Sequence, residues 1–213
     1  MLESFLNRKD DVMSLVIGIV DKDKVIFASD SQITIGGVRK VSCVEENFKI
    51  WHPDDKTNIM MGTVGYVREM NITKSTDSLI DELEYLKEKV DLKYISIKLV
   101  KKILKNLKDN HVISEKDNIM TMNNEYLFAY KEKLYQIFSS GAVMEIDKYT
   151  AIGSGGNEAL ASLKNSEGME AIKRIKLAMD AASNNDIYVD YPLIIGTTDK
   201  QDMIIIESSD HKK

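Results

Sequence analysis

The sequence predicts an α+β domain in which two antiparallel sheets form the core and helices cover it in two layers. Three observations carry that prediction. The β-rich runs come in pairs joined by short polar turns, which marks hairpins and therefore antiparallel pairing. The apolar helical stripes arrive two at a time, after the second hairpin and again after the third. The resulting order (strands, two helices, strands, two helices, strands) is not the strict alternation of strand and helix that builds a parallel sheet.

The elements follow in chain order. The first strand is read over Ser14–Val20 and, across the turn Asp21-Lys22-Asp23, the second over Lys24–Ser29. A second hairpin joins Phe48–Trp51 to Asn58–Val64, with Pro53, Asp54 and Asp55 supplying turn dihedrals. The first helix is predicted over Ser78–Val90, where Leu79, Ile80, Leu83, Leu86 and Val90 fall on one stripe behind the N-cap candidates Ser75, Thr76 and Asp77. The second is predicted over Ile97–Leu107, with Leu99, Val100, Ile103, Leu104 and Leu107 facing inward. Its other side carries Lys98, Lys101, Lys102, Lys105 and Lys108. A solvated face is the expected reading, and a docking face for an acidic partner the alternative. A third hairpin pairs Tyr126–Tyr130 with Lys133–Phe138. Helices are then predicted over Asn157–Asn165 and Met169–Ser183. The latter is read as burying Ala171, Ile172, Ile175, Ala178, Met179 and Ala182 before Asn184-Asn185 stops it. The last two strands, Pro192–Thr197 and Met203–Glu207, flank the polar segment 198–202.

Composition narrows the function classes. With 213 residues, 43% apolar and 30% charged, the chain can build one well-cored domain and is not a disordered polymer. A net charge of −5 gives no basic excess for binding nucleic acid. The longest apolar runs, such as Met203–Ile206, are too short to span a bilayer, and the start lacks a signal peptide's apolar centre. Neither nucleic acid nor membrane is expected as a partner. The single cysteine, Cys43, suits a reducing compartment, and the cytoplasm is the expected location. Between Val41 and Val44, Cys43 reads as strand filler rather than a nucleophile. His52, His111 and His211 with one cysteine make no zinc set, so no metal or cofactor is expected.

Six segments carry more than their own structure. They are Ser14-Leu15-Val16-Ile17-Gly18-Ile19; the stretch from Val25 to Gly36, which contains Asp30; Phe48-Lys49-Ile50; Met61-Gly62-Thr63-Val64-Gly65; Ala151-Ile152-Gly153-Ser154-Gly155-Gly156 with Glu158-Ala159-Leu160 behind it; and Asn185-Asp186-Ile187-Tyr188. In this order and spacing, over roughly residues 14 to 207, they resemble the proteasome subunits and their bacterial relative HslV. The resemblance implies a four-layer αββα sandwich, the N-terminal nucleophile hydrolase fold, formed as a single domain over 14–207. It implies a subunit of a homo-oligomeric, stacked ring, with peptides or unfolded proteins as substrates and an AAA+ ATPase unfoldase as a candidate partner. Residues 1–13 are then an N-terminal extension and residues 208–213 a frayed tail.

The same resemblance assigns roles. Ser14 is the nucleophile, and as an N-terminal residue it carries its own base, an α-amine whose ordinary pKa of about 7.7–8.0 suits neutral pH. Lys49 supplies a nearby ammonium that favours the neutral amine and the developing alkoxide. Asp30 orients that lysine, and Ser154 and Asp186 complete the hydrogen-bond network around the amine. The backbone of Thr34 and Gly65 holds substrate as an added strand beside Val67, and the Gly65 N–H is the candidate oxyanion donor. Because the stretch from Gly36 to Lys49 is a few residues longer than in typical members, Lys40 is the alternative lysine. Two positions depart from the family pattern: the nucleophile is Ser instead of Thr, and Val189 stands where catalytic subunits commonly carry a further Ser.

The chemistry requires Ser14 to be the free terminus. Two routes lead there: autolytic removal of residues 1–13, or translation from Met13 followed by trimming of the methionine, the route expected here because Met13 rather than Gly precedes Ser14. If residues 1–13 stay attached, the chain is a catalytically inactive subunit with an assembly or binding role.

Overall fold

In the computed structural model, residues 14–35, 39–42, 44–87, 89–116 and 119–208 are described. The N-terminal extension, Cys43 and all of the tail except Ser208 lie outside them. In chain order the strands are β1 (Val16–Asp21), β2 (Lys24–Ser29), β3 (Gln32–Ile35), β4 (Arg39–Ser42), β5 (Ile50–Trp51) and β6 (Ile59–Val64). They continue with β7 (Ser114–Lys116), β8 (Ile119–Thr121), β9 (Glu125–Tyr130), β10 (Lys133–Ile137), β11 (Val143–Ile146), β12 (Tyr149–Ile152), β13 (Leu193–Thr197) and β14 (Lys200–Ile206). The helices are α1 (Val67–Lys74), α2 (Glu82–Leu86), α3 (Leu92–Tyr94), α4 (Val100–Asp109), α5 (Gly156–Asn165) and α6 (Ala171–Asn185), with a π-helical stretch Ile95–Leu99 joining α3 to α4.

Two five-stranded antiparallel sheets, ordered β12-β1-β2-β13-β14 and β11-β10-β9-β6-β5, form the centre. Alternation decides what each face touches. Along β1, Ile17 and Ile19 point to the outer side, where they meet Ala159, Leu163, Ile175 and Met179 of α5 and α6. Val16 points the other way and joins Val25, Phe27, Met60, Leu127 and Leu134 in the layer between the sheets. The outer face of the second sheet, with Met61, Tyr126, Phe128 and Tyr135, is covered by Tyr94, Ile95, Leu99, Ile103 and Leu107. The layers are therefore helix, sheet, sheet, helix, as expected. The two sheets approach closely where β1 and β6 lack side chains: a Cβ on Gly62 would lie 2.7 Å from Val16 Cγ1, and one on Gly18 would lie 3.0 Å from Leu134 Cδ1.

Register gathers distant segments at one edge of this stack. Val16 pairs with both Ser29 and Ile152, so the start of β1, the end of β2 and the end of β12 lie side by side. In the second sheet Ile50 pairs with Gly62, and Thr63 N donates to Lys49 O at 2.9 Å, which sets the start of β5 beside the end of β6.

The last strand begins at Lys200, inside the segment read as the connection 198–202, and three larger readings need correction. The helix expected over Ser78–Val90 is confined to Glu82–Leu86. Leu79 and Ile80 are buried, but from a non-helical turn in which Ser78 has φ 49° and Asp54 accepts the Leu79 and Ile80 N–H groups at 3.1 and 2.8 Å. Those donors, satisfied by a side chain, have no need of a helix. The second helix begins earlier than Ile97, and Ile97 itself is exposed. Helix α1 and the strands β3, β4, β7, β8, β11 and β12 were not predicted as elements.

Candidate active site

The ends of β1, β2 and β12 and the start of β5 bring Ser14, Asp30, Lys49 and Ser154 together, although 140 residues separate the first from the last. Ser14 stands before β1, and its backbone N–H donates to Ser154 Oγ at 3.2 Å. The turn carrying Ser154 is built to meet it. Gly153 has φ 104°, and a Cβ there would fall 2.1 Å from the Ser14 carbonyl oxygen, so only glycine fits.

Asp30 closes the other side of this strand end. Its Oδ1 accepts from Leu15 N at 2.8 Å and its Oδ2 from Gln32 N at 3.1 Å. Lys49 Nζ donates to Asp30 Oδ1 at 2.6 Å and to the Gln32 carbonyl at 2.7 Å. Both side chains of this ion pair are buried. Burial pushes the Asp30 carboxyl up from the ordinary carboxylate range, while the Lys49 ammonium and the Leu15 and Gln32 N–H groups pull it back. Lys40 is placed elsewhere. It sits on the β3–β4 hairpin opposite Thr34 and reaches Asp190 at 3.7 Å with more than half of its side chain exposed. Of the two candidate lysines, Lys49 is the one beside Asp30.

Asp186 caps the end of α6. Its Oδ1 accepts from Tyr188 N at 2.9 Å, and its Oδ2 is buried without a hydrogen-bond partner among the described residues. That oxygen lies 3.8 Å from where a Cβ on Gly155 would be, next to Ser154, yet no hydrogen bond joins Asp186 to Ser14 or Ser154 among the described residues. Val189 is buried in the apolar cluster of the first sheet, and its Cγ2 would be 2.9 Å from a Cβ on Gly155.

A cleft open to solvent faces this edge, and Ser14, Lys49, Thr34, Gly65 and Val67 all line it. Thr34 accepts from Gln32 Nε2 at 3.0 Å, and Gln32 Nε2 also reaches the Ile187 carbonyl at 3.0 Å, tying the cleft strand to the Asp186 turn. Gly65 follows β6 with φ 123°. Sequence reasoning passed over Gln32, Glu69 and Asn124 at this site. Gln32 lay inside a quoted motif without a role, and the other two are isolated polar residues with no periodicity or spacing to mark them.

A scan of family descriptions matches the Proteasome subunit family over residues 14–197. No curated protein matches the sequence. Among solved structures, Thiobacillus denitrificans BPH is similar with a TM-score of 0.62 at 17% identity, over 86% of this chain and 96% of that one. HslV from Trypanosoma brucei is similar with a TM-score of 0.58 at 20% identity, over 86% and 98% respectively. A mutant of Anbu from Hyphomicrobium sp. strain MC1 gives a TM-score of 0.67 at 13% identity, over 92% and 88%. These identities speak for the fold. The family match spans most of the sequence, the layers and the converging strand ends agree with it, and the chain belongs to the proteasome subunit family.

Proposed function

We propose that this chain is a peptidase subunit of a self-compartmentalised ring in the cytoplasm, with Ser14 as nucleophile and its own α-amine as base. The observation that carries this reading is the buried Lys49–Asp30 pair at 2.6 Å, set in the same cleft as Ser14. An ammonium there lowers the cost of an alkoxide on Ser14 and holds the amine neutral near pH 7. In the first step the amine, directly or through water, takes the Ser14 hydroxyl proton while Oγ attacks the peptide carbonyl. The Gly65 N–H is the proposed donor to the negative oxygen, since Gly65 lines the same cleft. The amine then protonates the leaving nitrogen, and water cleaves the acyl–Ser14 ester by the reverse proton route.

Peptides or unfolded proteins are the proposed substrates and an AAA+ unfoldase the proposed partner. The alternative is a non-catalytic subunit, and Val189 together with the unpartnered Asp186 Oδ2 favours it.

The test compares hydrolysis of a fluorogenic peptide by protein beginning at Ser14, verified by the mass of its N-terminal peptide, and by protein that retains residues 1–13. Activity is expected only from the first, and Ser14→Ala abolishes it with the ring intact. Equal rates from both forms and from Ser14→Ala overturn the mechanism.

A further inference from the structure

Behind the Gly65 side of the cleft lies a polar cluster that the mechanism above does not use. Helix α1, which starts two residues after Gly65, carries a fully buried carboxylate, Glu69. No salt bridge reaches it among the described residues; four donors do. Oε1 accepts from Asn124 N at 3.1 Å and Tyr126 Oη at 3.0 Å. Oε2 accepts from Asn123 N at 3.0 Å and Asn123 Nδ2 at 3.3 Å. Burial, reinforced by the neighbouring Glu69 carboxylate, raises the Tyr126 phenol well above its ordinary pKa and so keeps it a donor.

What Glu69 holds in place is Asn124, also fully buried. The Asn124 side chain grips the turn after β6 from both ends of its amide. Oδ1 accepts from Tyr66 N at 2.6 Å, and Nδ2 donates to Tyr66 O and Thr63 Oγ1, each at 3.2 Å. The grip is close: a Cβ on Gly65 would fall 2.4 Å from Asn124 Oδ1, so the contact leaves no room for a side chain there, and the φ of 123° is one that glycine adopts freely. A buried polar network is stable only when its members are paired, and the pairing fixes one conformation. Here that conformation belongs to Gly65, which lines the cleft.

We propose that Glu69 and Asn124 are positioning residues that fix the Gly65 N–H as the oxyanion donor, Glu69 acting through Asn124. Neither touches the reacting atoms. An oxyanion donor displaced by about 1 Å forfeits much of its effect, because its value lies in being aimed beforehand at the charge of the transition state. The inference rests on the peptidase reading.

The experiment uses Ser14-terminated protein carrying Asn124→Ala, Glu69→Ala or Glu69→Gln. Rates are normalised to the fraction of Ser14 that a covalent peptide electrophile labels, so that unfolded molecules do not count. Each variant is also titrated with a peptide aldehyde, which forms a tetrahedral adduct, and with an uncleaved peptide of the same sequence. Asn124→Ala is expected to lower kcat by on the order of 10–100-fold with KM within about twofold. Aldehyde affinity falls in step with kcat, and uncleaved-peptide affinity does not change. Glu69→Gln keeps one acceptor oxygen in the cluster and is expected to fall between wild type and Glu69→Ala. If wild type turns over but all three variants keep kcat per labelled Ser14 within about twofold, the inference is overturned and the peptidase reading stands. If wild type with a verified Ser14 terminus is inactive, the peptidase reading fails and the inference with it.

Discussion

The two flanks of Ser14 are built differently. On one, Asp30 accepts from Leu15 N, Gln32 N and Lys49 Nζ, and Lys49 is also held by the Gln32 carbonyl. Both charged groups there are buried and paired, although the neighbouring Ser29 and Ser31 hydroxyls and Gln32 Oε1 have no hydrogen-bond partner among the described residues. On the other, Ser154 contributes one hydroxyl to Ser14 N, Asp186 keeps a buried oxygen unpartnered, and Val189 offers no hydroxyl at all. The charges of the first flank are each held by several partners, while the hydrogen bonds that the second offers to Ser14 are few. An ion pair out of water keeps its partners because losing either one leaves a bare buried charge. A turn built from Gly153 and Gly155 keeps its shape for backbone reasons even when side-chain groups around it change.

The largest expected effect comes from breaking the charged flank. Lys49→Ala should cut peptide hydrolysis by about 10³-fold or more. It should also lower stability by about 3–5 kcal/mol, because Asp30 is left buried and uncompensated. Denaturant unfolding alongside a rate assay checks both. A small loss of activity would mean that the pair serves only the fold.

Asp186→Asn is next. The amide can still accept from Tyr188 N, so the turn survives, but the charge near Ser154 is gone. A loss of activity of about tenfold is expected, with unchanged melting. No loss would reduce Asp186 to a helix-end cap and leave the charged flank as the whole catalytic apparatus on the protein side.

The comparison also shows what a sequence can carry. Helix α6 was legible because Ala171, Ile175, Ala178, Met179 and Ala182 repeat at helical spacing and all are buried. Helix α1 was not, because the residues it buries are Glu69, Met70 and Thr73, a mostly polar set that leaves no apolar stripe. The misread helix near Ser78 fails for a related reason. Leu79 and Ile80 have the right spacing, but Asp54, far back in the chain, accepts their N–H groups and sets a turn there. At the site, motif order pointed to Ser14, Asp30, Ser154 and Asp186, and to Lys49 with Lys40 as the alternative. Which lysine lies beside Asp30 depends on how the β3–β4 hairpin holds the chain between Thr34 and Lys49, and the structure puts Lys49 there. Asn124 and Glu69 act through contacts 54 or more residues apart in the chain and left no local trace.

Val189→Ser restores a hydroxyl to the second flank. The expected gain in rate is at most about threefold, against a cost of about 1–3 kcal/mol if the hydroxyl finds no partner in that apolar cluster. A larger gain would show that the hydrogen-bond flank limits turnover. The smallest effect belongs to Lys40→Ala. Its ion pair with Asp190 is long and exposed, and both activity and melting should stay close to wild type. A marked loss would reopen the assignment of Lys49.

The most direct measurement maps the site of covalent modification. Protein beginning at Ser14 and protein retaining residues 1–13 are each treated with a peptide electrophile, digested and read by mass spectrometry. The account predicts a single adduct on the N-terminal peptide of the first protein, at Ser14, lost in Lys49→Ala and absent from the second protein. An adduct on Cys43, or equal labelling of Ser14 in both proteins, would contradict it.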